Sequence, residues 1–153
     1  MKWIGLSSLL SFLKREITVG ERIYGETIKI LPSDFMANDD VAEKPLHFKD
    51  GATSGVQLSD AASEMIAFVS IPEGMKATHV DVWANGARTL KVHELEVNDT
   101  HDFTDTPKGT GNCNTQLAIT DVNSTATNFL GIVVVATATS QRTYGGLVTI
   151  AAQ

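Results

Sequence analysis

The stretch 109–153 carries one acid, Asp121, and one base, Arg142, and is otherwise built largely from Thr, Val, Ala, Ile, Gly and Asn. Such a composition specifies β-structure. Within it, Phe129-Leu130-Gly131-Ile132-Val133-Val134-Val135-Ala136 is apolar at odd and even positions alike, so a strand there leaves neither face in water. A second sheet layer covers one face. The other needs the N-terminal segment or a neighbouring subunit, and that requirement points to assembly before any motif is considered.

At 153 residues, 42% hydrophobic and 20% charged, with a mean hydropathy of zero, the chain reads as one soluble domain long enough to bury a core. Twelve basic against eighteen acidic residues argue against a nucleic-acid binder, which needs clustered Lys and Arg to neutralise phosphates. The charge is uneven: residues 1–16 hold Lys2, Lys14 and Arg15 against Glu16, and the acids concentrate after them. The single cysteine, Cys113, has no intramolecular disulfide partner. It is expected to be an incidental loop thiol rather than a nucleophile, since the sequence places no electropositive group beside it.

The opening run is apolar enough to suggest a signal peptide, but Lys14-Arg15-Glu16 closes it with no small-x-small site. Trp3, Leu6, Leu10 and Leu13 fall at helical spacing with serines between them, which predicts an amphipathic helix of about three turns. The run is too short for a membrane span, which takes roughly 20 apolar residues. Residues 1–21 are therefore expected to form a helix and arm that dock on protein, ahead of a β-domain over 22–153.

In that domain, residues 22–31 alternate as a half-exposed strand with Ile28 and Ile30 on one face, ended by Pro32. A polar loop is expected over 32–45. Strands follow at 46–48, 55–58, 64–71, 77–83 and 88–92, then at 116–122, 128–139 and 145–152 after a long loop over 98–115. Asn85-Gly86 carries the clearest hairpin signal. A three-residue loop with Gly86 left-handed would put Val80, Val82, Leu90 and Val92 on one face. Leu95 and Val97 then fall out of parity, which predicts a bulge near His93-Glu94. About eight strands at ten-residue spacing make an all-β fold, an antiparallel, jelly-roll-like β-sandwich with an N-terminal amphipathic helix.

No catalytic motif stands out. His79 and His93, on adjacent strands of the expected hairpin with Asp81 beside His79, have ligand chemistry, but the pattern is that of a solvent-facing antiparallel face. The acidic loops at 34–40 and 99–105 lack the Gly and Glu positions of an EF-hand. Neither a metal nor any other cofactor is expected. The sequons at Asn98 and Asn123 read as chance matches in turn-rich segments. Trp3, Trp83, Tyr24 and Tyr144 are scattered, and core or interface packing is the expected use of each.

The segments Ile71-Pro72-Glu73-Gly74-Met75-Lys76-Ala77-Thr78-His79-Val80-Asp81-Val82, Lys91-Val92-His93-Glu94, Gly109-Thr110-Gly111-Asn112, Leu117-Ala118-Ile119-Thr120 and Tyr144-Gly145-Gly146-Leu147-Val148-Thr149-Ile150 resemble small structural proteins of marine tailed bacteriophages. The resemblance covers about residues 22–152 and implies a β-sandwich virion component without catalytic residues. With the doubly apolar strand, it leads to a capsid cement or decoration protein: not an enzyme, made in the host cytoplasm, located at the capsid surface, and binding the major capsid protein. Homo-oligomerisation, as a trimer at quasi-threefold positions, would cover the remaining apolar face. The interface candidates are Trp3, Leu6, Leu10, Leu13, Phe129, Val133 and Val135. The alternatives are a tail, fibre or head-tail connector subunit, and a carbohydrate-binding module using Trp83 or Tyr144.

Overall fold

The structure, a computed structural model, describes residues 27–38, 46–52, 54–58, 64–100, 103, 106–138 and 140–153. The expected helix and arm over 1–21, with Trp3, Leu6, Leu10 and Leu13, lie outside the described residues. No helix among those described is long and apolar enough to cross a membrane.

The chain is an antiparallel β-sandwich. Its strands are β1 (Thr27–Ile30), β2 (Phe35–Asn38), β3 (Leu46–Lys49), β4 (Gly55–Leu58), β5 (Glu64–Val69), β6 (Met75–Ala84), β7 (Thr89–Glu96), β8 (Gly109–Asn112), β9 (Leu117–Asn123), β10 (Asn128–Val135) and β11 (Arg142–Ala152). The first sheet runs β3-β4-β11-β6-β9, and the second β2-β5-β10-β7-β8. β1 pairs with residues 146–149 of β11, while β4 pairs with residues 142–143. Among the described residues there are thus eleven strands, more than the ranges expected from the sequence. The additions include β2, inside the expected 32–45 loop, and β8, inside the expected 98–115 loop. Both are four-residue edge strands, and β8 (Gly-Thr-Gly-Asn) has no apolar side chain to announce it.

The core lies between the sheets. Val80, Val82, Val148 and Ile150 of the first sheet meet Met65, Leu90, Val92, Leu130, Ile132 and Val134 of the second, all essentially without solvent contact. Alternation places these residues: even-numbered positions of β7 and β10 face inward. Pro32 ends β1 as expected, and a single 3₁₀ turn over Pro32–Asp34 follows. Asp34 closes that turn by accepting the Leu31 amide at 2.7 Å.

Two register expectations are corrected. β6 and β7 do not form a hairpin: β6 belongs to the first sheet and β7 to the second, so Asn85–Arg88 crosses the sandwich. Gly86 is not left-handed. Val80, Val82, Leu90 and Val92 do share the apolar side, but as opposite walls of one core; side-chain alternation is the same for a hairpin and for an arch between sheets. There is also no bulge at His93-Glu94, because β7 pairs with β10 without a shift from Leu90 to Glu96. Leu95 simply points to the outer face of the second sheet, where it is nonetheless buried.

That outer face explains the doubly apolar strand. Ile66, Val133, Leu95 and His93 are buried there, and Ile66, Val133 and Leu95 form no part of the main core. Gly131 sits among them. A Cβ on Gly131 would lie 2.7 Å from Leu95 Cδ1 and 2.9 Å from Phe103 Cε1, so the missing side chain is what lets Phe103 settle onto the sheet. Phe103 also packs edge-on against His93, with ring centroids 5.4 Å apart.

Candidate functional site

The β-strands bring distinct residues to each end of the sandwich. At one end meet the finish of β5, the start of β6, the finish of β7, the β9–β10 turn and Gln153. At the other meet the β6–β7 crossing, the β8–β9 turn and the segment before β11.

On the second sheet, near the first end, Phe68, Ser70, Val97 and Phe129 line an open groove of about 350 Å³. Phe68 is opposite Gly131 in the ladder, which leaves its ring free to lean on Phe129, 5.7 Å away at an interplanar angle of 73°. Phe68 is 42% exposed and Val97 68%, and beside Phe129 they form a contiguous apolar patch. Of the expected interface residues, Phe129, Val133 and Val135 do share this outer face. Only Phe129 reaches the groove, because Val133 is buried within the chain. Phe68 and Val97 are not among the expected interface residues; the apolar run Met65-Ile66-Ala67-Phe68-Val69, two-sided like β10, carries the signal for Phe68.

A second depression of about 430 Å³ lies at the tip of the same end, lined by Glu73, Gly74, Ser124, Thr125, Ala126 and Gln153. Gln153 Nε2 donates to Ser124 Oγ at 2.9 Å and to the carbonyls of Met75 and Ser124. Thr125 Oγ1 accepts the Asn128 amide at 3.0 Å and that of Thr127 at 3.3 Å. Asn128, itself buried, ties this turn down through Nδ2 to the Asn123 carbonyl and to Glu94. These are ordinary turn residues in the sequence, and nothing in their spacing announces a cleft.

On the outer face of the first sheet, Trp83 is 44% exposed. Asp81 stands two residues away on the same face and accepts from Gln116 Nε2 at 3.3 Å. Trp83 pairs with Gly145, a residue without a side chain. The Tyr144 ring packs against Gly55, where a Cβ would approach it to 2.9 Å.

The opposite end is a polar lock around Arg88, which is 3% exposed. Its Nη2 donates to Asn85 Oδ1 at 2.6 Å and to the Arg142 carbonyl at 2.8 Å, and Nη1 donates to Thr143 Oγ1 at 3.2 Å. All three acceptors are neutral, and Nε has no partner. Burial lowers the guanidinium pKa, against the Cys113 and Tyr144 groups, which raise it. Asn114, left-handed at φ 66°, seals the arch by accepting the Ala84 amide at 2.9 Å and donating to the Gly86 carbonyl at 3.2 Å.

Cys113 is thus beside a cation after all, yet it is 1% exposed, and burial pushes its thiol up to about 11 despite Arg88. It is held as a neutral thiol. The two histidines expected to approach each other are separated: His79 is on the first sheet and His93 on the second. The hairpin that would have joined them is the interlayer crossing. Among the described residues no group of three or more His, Cys, Asp or Glu could hold a metal.

No protein-family profile and no curated protein matches the chain. Among solved structures, the CBM36-1 domain of a multidomain xylanase from the hindgut metagenome of Trinervitermes trinervoides is similar at 12% identity and a TM-score of 0.46, over 83% of this chain and 98% of that one.

Proposed function

We propose that the chain is a structural, non-catalytic subunit of a tailed-phage virion: a capsid decoration protein that self-associates and rests on the major capsid protein. The observation that supports this reading is the groove of Phe68, Phe129 and Val97. It offers three apolar side chains and one hydroxyl, a composition suited to a protein surface rather than to a polar ligand. Self-association through the outer face of the second sheet withdraws this apolar surface from water, and closed symmetry makes such a contact saturable. A tail, fibre or connector subunit would use the same surface.

The test compares the solution mass of the full chain with that of a version lacking residues 1–16, and then the co-sedimentation of each with undecorated phage shells. A defined oligomer that binds shells supports the reading. A monomer at all concentrations that leaves shells bare ends it.

A second reading, a carbohydrate-binding module, is favoured by half-exposed Trp83 beside Asp81 and Gln116, an aromatic face next to hydrogen-bonding groups. A saturable hit in a glycan screen supports it, and a blank screen ends it.

A further inference from the structure

We infer that the apolar groove on the second sheet is the seat of this chain's own N-terminal segment, with Trp3, Leu6, Leu10 and Leu13 laid against Phe68, Val97 and Phe129. The inference rests on the self-association reading for what displaces the segment, a neighbouring copy during assembly. Position is the first support. Thr27, where β1 opens, pairs with Thr149 of β11, and β11 runs on from there to Ala152 beside Met75. Residues 1–26 therefore join the fold at the end of the sandwich where Ser70 and Val97 line the groove. The four residues 31–34 link β1 to β2, so both strands stand at one edge of the sandwich. At that edge β2 pairs with β5 only from Glu64 to Ala67. Among the described residues no strand continues beside Phe68, and the groove lies open toward the side from which the segment arrives.

Reach and chemistry agree with position. Residues 14–26 span up to roughly 40 Å when extended, against about 10 Å between packed sheets. A tether of this kind presents the segment at an effective concentration of about millimolar. A free copy at micromolar concentration competes poorly with it, whereas a crowded assembly does not. The stripe from Trp3 to Leu13 is about 15 Å long at helical rise, and an amphipathic helix laid in an apolar groove is a recurring mode of recognition. Seating it would withdraw Phe68 and Val97, 42% and 68% exposed, from water. The charges match as well: Lys2, Lys14 and Arg15 flank the stripe, while half-buried Glu96 and exposed Asp99 flank Val97. The contact surface is thus covered in the isolated subunit and opened where copies meet.

The experiment places a nitroxide on a Ser8→Cys full chain and reads amide line broadening by NMR. At helical spacing Ser8 falls opposite the apolar stripe, so the label leaves the contact free. Cys113, 1% exposed with its thiol pushed up to about 11, stays unlabelled at neutral pH. Expected is a loss of intensity confined to the amides around Phe68, Ser70, Val97 and Phe129, abolished by Leu10→Asp in the segment. A cover in place about nine-tenths of the time weakens association about 10-fold, and Leu10→Asp should recover that factor in sedimentation equilibrium. Broadening that is absent, or spread evenly over the surface, overturns the seat. Isotope-labelled chain without nitroxide is then mixed with unlabelled nitroxide-bearing chain. Broadening of the groove in that mixture as strong as within one chain overturns own-chain seating, assigns the groove to a neighbour's segment and leaves self-association standing. Confined broadening in a chain that stays monomeric at every concentration, with Leu10→Asp or without it, upholds the seat, ends the self-association reading and overturns displacement by a neighbouring copy.

Discussion

Val97→Asp separates assembly from folding. Fully burying a valine side chain is worth about 1.5–3 kcal/mol. Val97 is 68% exposed, so roughly two thirds of that, about 1–2 kcal/mol, is available only to a partner, and the remainder already serves the fold. In a two-fold contact the residue occurs twice. Losing it then costs about 2–4 kcal/mol of association, or roughly 30- to 1000-fold in Kd. The introduced carboxylate adds to this, because it must be desolvated in the contact while remaining in water on the monomer. Folding should lose less than about 1 kcal/mol, since the backbone bond from the Val97 amide to the Thr127 carbonyl, 2.9 Å, is untouched. Sedimentation equilibrium across protein concentration reads the association, and urea unfolding reads the fold. A Val97→Asp chain that folds normally and keeps the wild-type oligomer mass at micromolar concentration would refute the groove as the contact.

Three further outcomes follow from the packing. Arg88→Met removes three hydrogen bonds, but Asn85 Oδ1 keeps the Arg142 amide and the Arg142 carbonyl keeps the Asn85 amide. Only Thr143 Oγ1 loses its donor, so the expected loss is about 1–3 kcal/mol by urea unfolding, moderated by removal of a buried charge; a loss above about 5 kcal/mol contradicts this account. Cys113 has its folded pKa raised to about 11 from 9.0. The neutral thiol therefore contributes about 2–3 kcal/mol that is fully present below pH 9 and lost as pH rises toward 11; a flat alkaline profile relative to Cys113→Ala speaks against it. Gly131→Ala should lower stability by about 1–3 kcal/mol, because displacing Phe103 and Leu95 outweighs the gain of up to about 1 kcal/mol from removing a strand glycine. Bound hydrophobic dye should rise in that variant, and unchanged dye binding would show that the outer face is covered some other way.

Much of the fold was legible because alternation is a local property. The two-sided apolar pattern of 129–136 predicted a central strand covered on both faces, and β10 is that strand. Ile28 and Ile30, the stop at Pro32 and the strands at 55–58 and 64–69 follow from the same period. The edge strands β2 and β8 escaped, since an edge needs one ladder of backbone bonds and little apolar side-chain surface. Leu95 misled for a related reason: its changed parity is the mark of a bulge or of a second buried face, and the pattern alone does not distinguish them.

The candidate sites were less legible. Phe129 stands out in the sequence, but its partners Phe68 and Val97 come from β5 and the end of β7, and the cleft joins Glu73, Ser124 and Gln153 across the chain. By itself, the sequence determined which side of most strands is apolar, that the fold is all-β, and that the strand at 129–136 must be enclosed, whereas β8 and β9 of the same third leave one face exposed. Only the tertiary structure decided that Asn85–Arg88 crosses between sheets, that Phe103 covers Gly131, and that a buried Arg88 neighbours Cys113. The reason is physical: face preference is set within a few residues, whereas strand order and the convergence of turns depend on pairings between segments whose separation along the chain carries no periodic trace.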